Sequence, residues 1–475
     1  MSTETRLRRS VPESQGVHSE TISKLLDYFA QKELELHSIM LLRHGHVIAE
    51  GWWEPYGAER PHMLFSLSKS FTSTAIGFAV DEGLLHLDDR VCDFFPDQLP
   101  DEVSPNLAGM QIHHLLSMAT GHEDDPTERV ISDGGGDWVK TFLSLDVERV
   151  PGTHFVYNTI ATYMLAAILD KVTGQTLVEF LTPRLFEPLG IVGATWETCP
   201  KGINTGGFGL NIKTEDIAKF GQFYLQRGVW DGKQLLSQEW VRAATQKQIN
   251  NGDDPSSDWN QGYGYQFWRC RHNCYRGDGA FGQFCIVVPQ HELVVAITSG
   301  VNDMPGVLDG IWDVLLPSLS PEPLPENPAE HDRLQRRLEE LTLPILPGHK
   351  LDSAHKFDGH YVFPANDLGI KAATLMFDGS VCQVSVDMPC GQSMMTFGYG
   401  YYEQSEFRRR GETVLAYSCA SWRNDTTLEL MSRLVETPFT YTFVCTFTPG
   451  QVEVTGSVNC SFGPRESPTL VGILE

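Results

Sequence analysis

The spacing of apolar and polar residues predicts strands at both ends of the first three hundred residues. Residues 38–51 have the pattern of two strands around a tight turn at His44-Gly45. Residues 284–288 and 293–298 form a second pair of strand-like runs, separated by a short turn. The residues between these hairpins have the apolar spacing of helices, so we predict an α+β fold in which helices flank an antiparallel sheet.

The composition changes after residue 317. Residues 318–348 contain closely spaced prolines followed by Leu334, Leu338 and Leu341 at helical spacing, which predicts a linker and a short helix. From residue 349 to residue 475, about eight short runs rich in Val, Thr, Tyr and Phe alternate with Gly, Asn and Pro. We therefore predict a first domain over residues 1–317, the linker segment, and a C-terminal all-β barrel or sandwich.

The length and charge of the chain narrow the classes of function. A chain of 475 residues is expected to form two domains. Aspartate and glutamate number 61 against 36 lysines and arginines, which gives a formal charge of −25. Such a surface repels phosphate groups, so we expect no nucleic-acid partner and no membrane partner. The sequence has no recognisable secretory signal and no apolar run of about 18 residues, which predicts a cytoplasmic protein with reduced cysteines.

Two short patterns are typical of cofactor sites, but neither has the required context. Cys270 and Cys274 flank His272, yet no second Cys/His pair completes the four ligands of a zinc site. Residues 277–282, GDGAFG, match a dinucleotide fingerprint, but a strand follows them where that fingerprint requires a helix. We therefore expect no metal and no cofactor, and interpret the glycines as positions where backbone can closely approach a substrate oxygen.

Ser66 and Lys69 are the strongest candidates for catalytic residues. They form an S-x-x-K pattern in a segment whose apolar stripe predicts a helix ending near Gly83. Positions i and i+3 share one helix face, so the lysine amine can reach the serine hydroxyl. A buried lysine with a lowered pKa can accept the serine proton. A second S-x-x-K copy, from Ser353 to Lys356, has no apolar helix behind it, and we interpret it as chance.

Tyr157 is a further candidate from a distant segment. It follows the Pro151-Gly152 turn and precedes an apolar helical stripe that ends at Gly174. A tyrosine in such a position can relay a proton when nearby cations lower its pKa from about 10. Packing beneath the helix is the alternative interpretation, and the tyrosine alone does not decide between the two.

Taken together, these segments resemble the penicillin-binding-protein-like serine hydrolases, which include class C β-lactamases, D-aminopeptidases, DD-peptidases and esterases. The similarity lies in SLSKSFTSTAIG, LLSMATGH, PGTHFVYN and GDGAFGQFCIVVP, and it extends over about residues 10–315. It implies a β-lactamase-like fold, with a helical subdomain beside the sheet and a cleft between them. It also implies an acyl-enzyme route in which Ser66 is the nucleophile, Lys69 accepts its proton, and Tyr157 is the second acid or base.

The resemblance extends to the substrate-binding residues and to the second domain. It implies that the Ser66 amide and an amide from the strand that follows the third segment bind the oxyanion. The candidates for substrate or oxyanion binding are therefore Asn158 of the second segment and, in the third, Asp278, Gly279, Ala280 and Phe281. The strand-rich region after residue 349 is similar to the lipocalin-like barrels that follow this catalytic domain in some relatives.

Two departures from the family pattern bear on the substrate. Many relatives have Tyr-x-Asn in the second segment, whereas residues 157–159 read Tyr-Asn-Thr, which puts the role of the asparagine in doubt. Enzymes acting on β-lactams usually have Lys-Thr-Gly in the third segment, and this chain has none. A lysine there would pair with a substrate carboxylate. Its absence favours esters or amides without that anion. Arg271, His272 and Arg276 lie nearby and could replace the lysine, and solvated or salt-bridged surface roles are the alternative for these residues.

The sequence therefore predicts a serine hydrolase acting on small esters or amides, either an esterase or a peptidase/amidase. One alternative is a β-lactam-binding DD-peptidase or weak β-lactamase, and another is an inactive acyl-binding or assembly scaffold. The complete set of Ser66, Lys69 and Tyr157 favours the enzyme, because a scaffold needs none of these groups. The formation of homo-oligomers stays open.

Overall fold

The computed structural model describes residues 6–133, 135–389, 391–409 and 412–475. Within these ranges, no α-helix has both the length and the apolar sequence needed to cross a membrane. The α-helices all precede residue 340 and are α1 (Ser19–Gln31), α2 (Ser68–Asp81), α3 (Val91–Phe94), α4 (Pro105–Ala108), α5 (Ile112–Leu116), α6 (Thr127–Ile131), α7 (Trp138–Leu143), α8 (Thr159–Thr173), α9 (Leu177–Leu181), α10 (Glu187–Leu189), α11 (Thr214–Leu225), α12 (Gln238–Thr245), α13 (Met304–Gly310) and α14 (Pro328–Glu339).

The strands fall into two groups, one on either side of α13 and α14. The first group is β1 (Arg8–Arg9), β2 (Leu36–Arg43), β3 (His46–Trp52), β4 (His62–Met63), β5 (Thr195–Trp196), β6 (Leu210–Ile212), β7 (Val229–Trp230), β8 (Lys233–Gln234), β9 (Trp268–Arg269), β10 (Tyr275–Gly279), β11 (Gln283–Val288) and β12 (Leu293–Ser299). The second group is β13 (Gly359–Val362), β14 (Ala372–Phe377), β15 (Val381–Met388), β16 (Gly391–Tyr399), β17 (Glu403–Arg409), β18 (Glu412–Asn424), β19 (Thr427–Leu434), β20 (Thr440–Thr448), β21 (Gln451–Val458) and β22 (Leu470–Leu474).

The main sheet of the first domain has seven strands in the order β1-β3-β2-β12-β11-β10-β9. Neighbouring strands are antiparallel, except that the two-residue strand β1 pairs parallel with β3. In the turn between β2 and β3, His44 and Gly45 have φ of 49° and 74°, as a tight two-residue hairpin requires. The predicted α+β fold, an antiparallel sheet flanked by helices, is confirmed.

Each face of this sheet packs against its own helices, because successive side chains of a strand point to opposite faces. Along β2, Met40 and Leu42 belong to the apolar core that includes α2, α8 and α11. Ile39 and Leu41 belong to the core that includes α1, α13 and α14. Helix α2 is therefore enclosed between the sheet and other helices, which is the environment that buries its side chains.

The strands after residue 359 close into a barrel. Nine strands pair around the ring in the order β16-β15-β14-β13-β22-β21-β20-β19-β18, and β16 pairs with β18 to complete it. Strand β17 pairs along the edge of β18. The prediction of a C-terminal all-β barrel is thus confirmed. The sequence predicted about eight strands where the described residues form ten. Strand β17, with the sequence EQSEFRR, lacks the apolar alternation by which strands are recognised.

The segment predicted to be a linker and short helix lies against the first domain. Asn327 caps α14, and Leu334 and Leu338 are buried in the core shared with α1. Arg337 donates a hydrogen bond to the Asp27 carboxylate at 2.7 Å. These contacts fix the chain on the first domain before the barrel begins.

A partly buried ion pair joins the barrel to the first domain. Arg433 of β19 donates to the Glu35 carboxylate at 3.0 Å. The Met63 amide donates to the carbonyl of Glu436 at 2.8 Å. Because β4 leads into the segment that carries Ser66, these contacts hold the barrel beside the candidate nucleophile.

Two buried histidines lie at this junction. His37 Nδ1 is 3.0 Å from His62 Nε2, and the His37 ring stacks on Tyr56 with centroids 3.7 Å apart. Burial lowers the pKa of both imidazoles, that of His62 to about 3. His62 is therefore neutral in the folded protein at pH values where a histidine in the unfolded chain is protonated.

We predict that His62→Gln makes folding less sensitive to acid. Below about pH 6.5 the unfolded chain binds a proton at residue 62, whereas the folded protein binds it only near pH 3. This difference lowers the free energy of unfolding by up to about 1.4 kcal/mol for each pH unit of acidification within that interval. Urea denaturation at several pH values between about 4 and 6 measures this slope, which should be shallower in the variant.

The exposed His355 of the barrel provides the control. His355→Gln should leave the pH dependence of the unfolding free energy unchanged. Equal slopes in the wild type and in His62→Gln would contradict a neutral His62 in the folded protein.

Candidate active site

Ser66 lies in a single 3₁₀ turn, Phe65–Leu67, immediately before α2. Phe65 has a φ of 48°, a left-handed conformation that is rare for an aromatic residue. Such strained positions persist only where the surrounding structure fixes them, and they are concentrated at functional sites. The strained turn presents the Ser66 hydroxyl at the start of a buried helix.

Lys69 reaches Ser66 from the first turn of α2. Its side chain is only 1% exposed, and its Nζ is 3.0 Å from Ser66 Oγ. Nζ also lies 2.8 Å from the carbonyl oxygen of Gly207 and 3.3 Å from Thr159 Oγ1. A neutral amine has two hydrogens and one lone pair, so two oxygens can accept its hydrogens while the lone pair faces the serine hydroxyl. The same three oxygens can also accept the three hydrogens of the ammonium form, so the contacts accommodate both protonation states.

Burial lowers the pKa of Lys69 to about 7, while the carboxylates of Asp125 and Asp278 act in the opposite direction. Burial removes the water that would stabilise the ammonium form. An amine with a pKa in this range can both accept and return a proton near neutral pH, as a general base must.

Tyr157 stands over the same amine. Lys69 Nζ is 4.9 Å from the centroid of its ring, which stacks on Trp268 at 5.3 Å. Burial raises the pKa of the Tyr157 phenol well above its ordinary value, and the negative charge of Asp278 raises it further. A hydrogen bond with Ser66 acts in the opposite direction. Tyr157 therefore keeps its proton in the resting state, so Lys69 is the better proton acceptor of the two.

The next two residues have different surroundings. Asn158 is fully buried, and its side chain caps α8 by accepting from the Ala161 amide at 3.0 Å and donates to Thr120 Oγ1 at 3.3 Å. Thr159 occupies the position at which many relatives of the Tyr-x-Asn type have asparagine, and its hydroxyl contacts Lys69. Sequence reasoning named Asn158 as the binding candidate, whereas its neighbour Thr159 makes the contact with Lys69.

The Gly207 carbonyl is held in place by side chains of α2. Ser68 Oγ accepts from the Leu210 amide at 3.1 Å, and Thr72 Oγ1 donates to the Gly206 carbonyl at 2.8 Å. A Cβ at Gly207 would lie 2.7 Å from both Cγ2 and the carbonyl oxygen of Thr159. Glycine is thus needed for residue 207 to approach the lysine. Sequence reasoning missed this contact, because Gly207 is 138 residues from Lys69 along the chain.

The glycines of strand β10 pack against the turn that carries Ser66. A Cβ at Gly277 would lie 2.5 Å from Leu67 Cδ1, and one at Gly279 would overlap the carbonyl oxygen of Leu64 and lie 3.2 Å from the Leu67 amide nitrogen. The glycine spacing read from the sequence therefore corresponds to close packing between a strand edge and the turn that carries Ser66.

The turn after β10 contains the other predicted binding residues. The Ala280 carbonyl accepts from Gln283 Nε2 at 3.0 Å. Phe281 has a φ of 65°, and its ring meets that of Phe65 edge to face with centroids 5.3 Å apart. The turn is therefore in contact with the residue that precedes Ser66.

Asp278 is the charged residue of β10 beside the site. It is buried and pairs with Arg276, which is 0% exposed, at 2.9 Å. Arg271 pairs with Asp258 and Asp309 at 2.9 and 2.6 Å. Both arginines are therefore neutralised within the protein.

The remaining sequence candidates lie elsewhere. His272 lies near Trp312, with ring centroids 5.4 Å apart. Cys270 and Cys274 are buried free thiols. Lys356 of the second S-x-x-K copy is exposed and lies over the ring of its neighbour Phe357, in the barrel. Among the segments that sequence reasoning singled out, the structure brings together Ser66, Lys69, Tyr157 and the β10 turn.

Comparisons with known proteins agree with this architecture. The Beta-lactamase family matches residues 30–314. A 6-aminohexanoate-dimer hydrolase of Paenarthrobacter ureafaciens is 26% identical over 286 residues, covering 56% of this chain and 73% of the relative. Penicillin-binding protein 4 of Amycolatopsis lactamdurans is 26% identical over 305 residues, covering 55% of this chain and 77% of the relative.

One solved structure resembles nearly the whole chain. The octameric penicillin-binding protein homologue from Pyrococcus abyssi has a TM-score of 0.51 at 19% identity and covers 95% of this chain and 99% of its own. At that identity the likeness concerns the fold alone, and it extends over both domains. Because the family match spans about 60% of the residues, this protein belongs to the Beta-lactamase family.

Proposed function

We propose that this protein is a serine hydrolase that forms an acyl-enzyme on Ser66 and acts on small esters or amides. The observation that carries the proposal is the buried amine of Lys69, which lies 3.0 Å from the Ser66 hydroxyl oxygen and has a pKa of about 7. Membership of a family whose relatives include named hydrolases adds support for hydrolysis.

In the proposed acylation step, Ser66 Oγ attacks the carbonyl carbon and its proton passes to Lys69 Nζ. The Ser66 amide and an amide of the turn at Ala280-Phe281 would stabilise the oxyanion. When the bond to the leaving group breaks, the leaving atom takes the proton that Lys69 holds, relayed by the Tyr157 hydroxyl. Each oxyanion donor is expected to contribute about 10²–10³ in rate.

Deacylation repeats the step with water. A water molecule attacks the acyl carbon, one of its protons passes to Lys69, and the bond to Ser66 Oγ breaks as that oxygen is reprotonated. The neutral lysine and the serine hydroxyl are thereby restored. The phenol of Tyr157 is neutral at the start and the end of the cycle, as its raised pKa requires.

The charges around the site favour substrates without a carboxylate beside the scissile bond. Asp278 is acidic where a β-lactam-binding enzyme would have a cation, and Arg276 is already paired with it. Such a carboxylate would meet repulsion from the exposed Asp125, and Arg276 is not free to offset it because it is already paired with Asp278. These charges favour an esterase or amidase over a DD-peptidase or β-lactamase, and the named activity of the 6-aminohexanoate-dimer hydrolase relative is compatible with an amidase.

We predict that Ser66→Ala abolishes hydrolysis of p-nitrophenyl acetate and labelling by a fluorophosphonate. Without the hydroxyl no acyl-enzyme can form, so kcat should fall at least about a thousandfold. The p-nitrophenolate release rate and gel fluorescence of the labelled protein measure both effects, and circular dichroism checks the fold.

Ser353→Ala is the matched control, because it removes the serine of the second S-x-x-K copy. It should retain wild-type turnover and labelling. Labelling that persists in Ser66→Ala, or is lost in Ser353→Ala, would refute Ser66 as the nucleophile.

We also predict that kcat/KM rises with pH through about 7 and then levels off. The rise follows the loss of a proton from Lys69, because only the neutral amine can accept the serine proton. Asp125→Asn should move the midpoint to lower pH, since the Asp125 carboxylate stabilises the ammonium form. Initial rates with a p-nitrophenyl ester over a range of pH measure the profile.

Asp352→Asn serves as the control for a change of one charge, because Asp352 is exposed in the barrel region. It should leave the midpoint where it is in the wild type. A rate that falls as pH rises through 7, or a midpoint unmoved by Asp125→Asn, would count against Lys69 as the base.

A further inference from the structure

Four phenylalanines from both domains meet beside Ser66, and we call them the aromatic cluster: Phe65, Phe281, Phe439 and Phe462. Phe439 and Phe462 belong to the barrel, and their ring centroids lie 6.2 and 6.0 Å from that of Phe65. From Phe281 the corresponding distances are 5.9 and 4.9 Å. The barrel thus supplies two of the four rings next to the candidate nucleophile.

The two phenylalanines of this cluster that belong to the first domain have an unusual backbone conformation. Phe65 and Phe281 both have left-handed φ angles, 48° and 65°, although neither is a glycine. One precedes Ser66 and the other follows the glycines of β10. Strain of this kind is retained where a precise position is needed for function. The two backbone segments nearest the reaction are therefore shaped to place aromatic surface there.

Phe462 is 81% exposed, more than any other large apolar residue of the described part of the chain. An exposed aromatic ring is informative when it adjoins a candidate site, because apolar surface next to a cleft often binds ligand. Phe462 lies in the loop between β21 and β22. Its ring contacts those of Phe65 and Phe281 and is otherwise largely open to solvent.

The barrel contains an apolar cavity of about 710 Å³, within the size range of small-molecule sites. Along β20, the alternate residues Tyr441, Phe443 and Cys445 line it, as expected for side chains pointing to one face of a strand. At the far end of the same strand, Phe447 stacks on Phe357 with centroids 4.4 Å apart. This stack occupies the end of the barrel that is farther from Phe439.

The near end of the cavity adjoins the aromatic cluster. Phe407, Tyr441 and Val458 line the cavity and also pack in the apolar core that contains Phe65 and Phe281. The loop between β21 and β22 contributes to both the cluster and the cavity, since Phe462 contacts the cluster while residues 464–468 line the cavity. The loop between β21 and β22 therefore borders both the cavity and the aromatic cluster beside Ser66.

We propose that the barrel cavity is the chain-binding subsite of the active site, and that the preferred substrates are esters or amides carrying an unbranched aliphatic chain. The carbonyl would lie at Ser66, and the chain would pass Phe462 into the barrel. This inference rests on the proposed hydrolase function. Burial of each further methylene in the cavity should strengthen transition-state binding by up to about fourfold.

The test is a chain-length series of p-nitrophenyl esters from acetate to decanoate, kept below micelle-forming concentrations. In the wild type, kcat/KM should rise with chain length until the cavity is filled. Leu430→Trp places a bulky ring in the cavity wall and should flatten the profile while leaving the acetate rate within about twofold of the wild type. A parallel series of alkyl acetates distinguishes a chain carried by the acid from one carried by the alcohol.

Phe462→Ala gives a second variant that does not alter the core, and it should lower the decanoate rate about tenfold with little effect on acetate. Met394→Ala is its matched control, because Met394 is 70% exposed on the barrel and does not line the cavity. It should keep the wild-type profile. If Leu430→Trp fails to fold, the comparison of Phe462→Ala with Met394→Ala still decides the outcome.

Labelling by a short-chain fluorophosphonate separates this inference from the proposed function. If Ser66 is labelled but wild-type rates are independent of chain length in both series, the chain-binding subsite is overturned and the hydrolase is not. The same holds if a rising wild-type profile is unchanged in Leu430→Trp and Phe462→Ala. If Ser66 is not labelled at all, the proposed function fails, and with it the subsite.

Discussion

The rest of the site depends on the burial of one amine. A lysine pKa lowered from 10.5 to about 7 means that the surroundings disfavour the ammonium form by about 5 kcal/mol. Close enclosure maintains this, because water in contact with Nζ would stabilise the charge. The sheet and the helices around α2 form that enclosure, and the oxygens of Ser66, Thr159 and Gly207 surround Nζ. The fold therefore lowers the pKa of this amine into the range in which it can accept a proton near neutral pH.

The enclosure is completed by backbone in places where side chains would not fit. Gly207 brings a carbonyl to the amine, and Gly277 and Gly279 bring the edge of β10 against the turn that carries Ser66. Each of these glycines faces atoms too close for a Cβ, and at Gly279 the nearest atom belongs to the backbone, which cannot rotate away. The end of β10 and the turn that carries Ser66 are thus parts of one tightly packed contact.

Some of this arrangement could be predicted from the sequence. Hairpin turns, helix stripes and the i, i+3 spacing of Ser66 and Lys69 are local patterns, and a local pattern fixes local geometry. The contacts of Lys69 with Thr159 and Gly207 depend on segments about 90 and 140 residues away, so no spacing rule specifies them. Resemblance to a family supplied the second segment, but it could not reveal that Asn158 caps a helix while Thr159 contacts the amine. Strand β17 could not be predicted, because its pairing with β18, and not an apolar alternation of its own, makes it a strand.

The barrel packs against the turn that carries Ser66 through contacts between aromatic rings. Phe65 has a left-handed backbone and a ring that needs apolar neighbours, and two of those neighbours, Phe439 and Phe462, come from the barrel. Ser66 is the next residue, so any shift of the barrel that moves the Phe65 ring must change the turn that presents the hydroxyl. The ion pair of Arg433 with Glu35 resists such a shift, because separating it would leave the buried guanidinium of Arg433 without its carboxylate. The barrel therefore contacts the turn that carries Ser66 through the ring of Phe65, one residue before the candidate nucleophile.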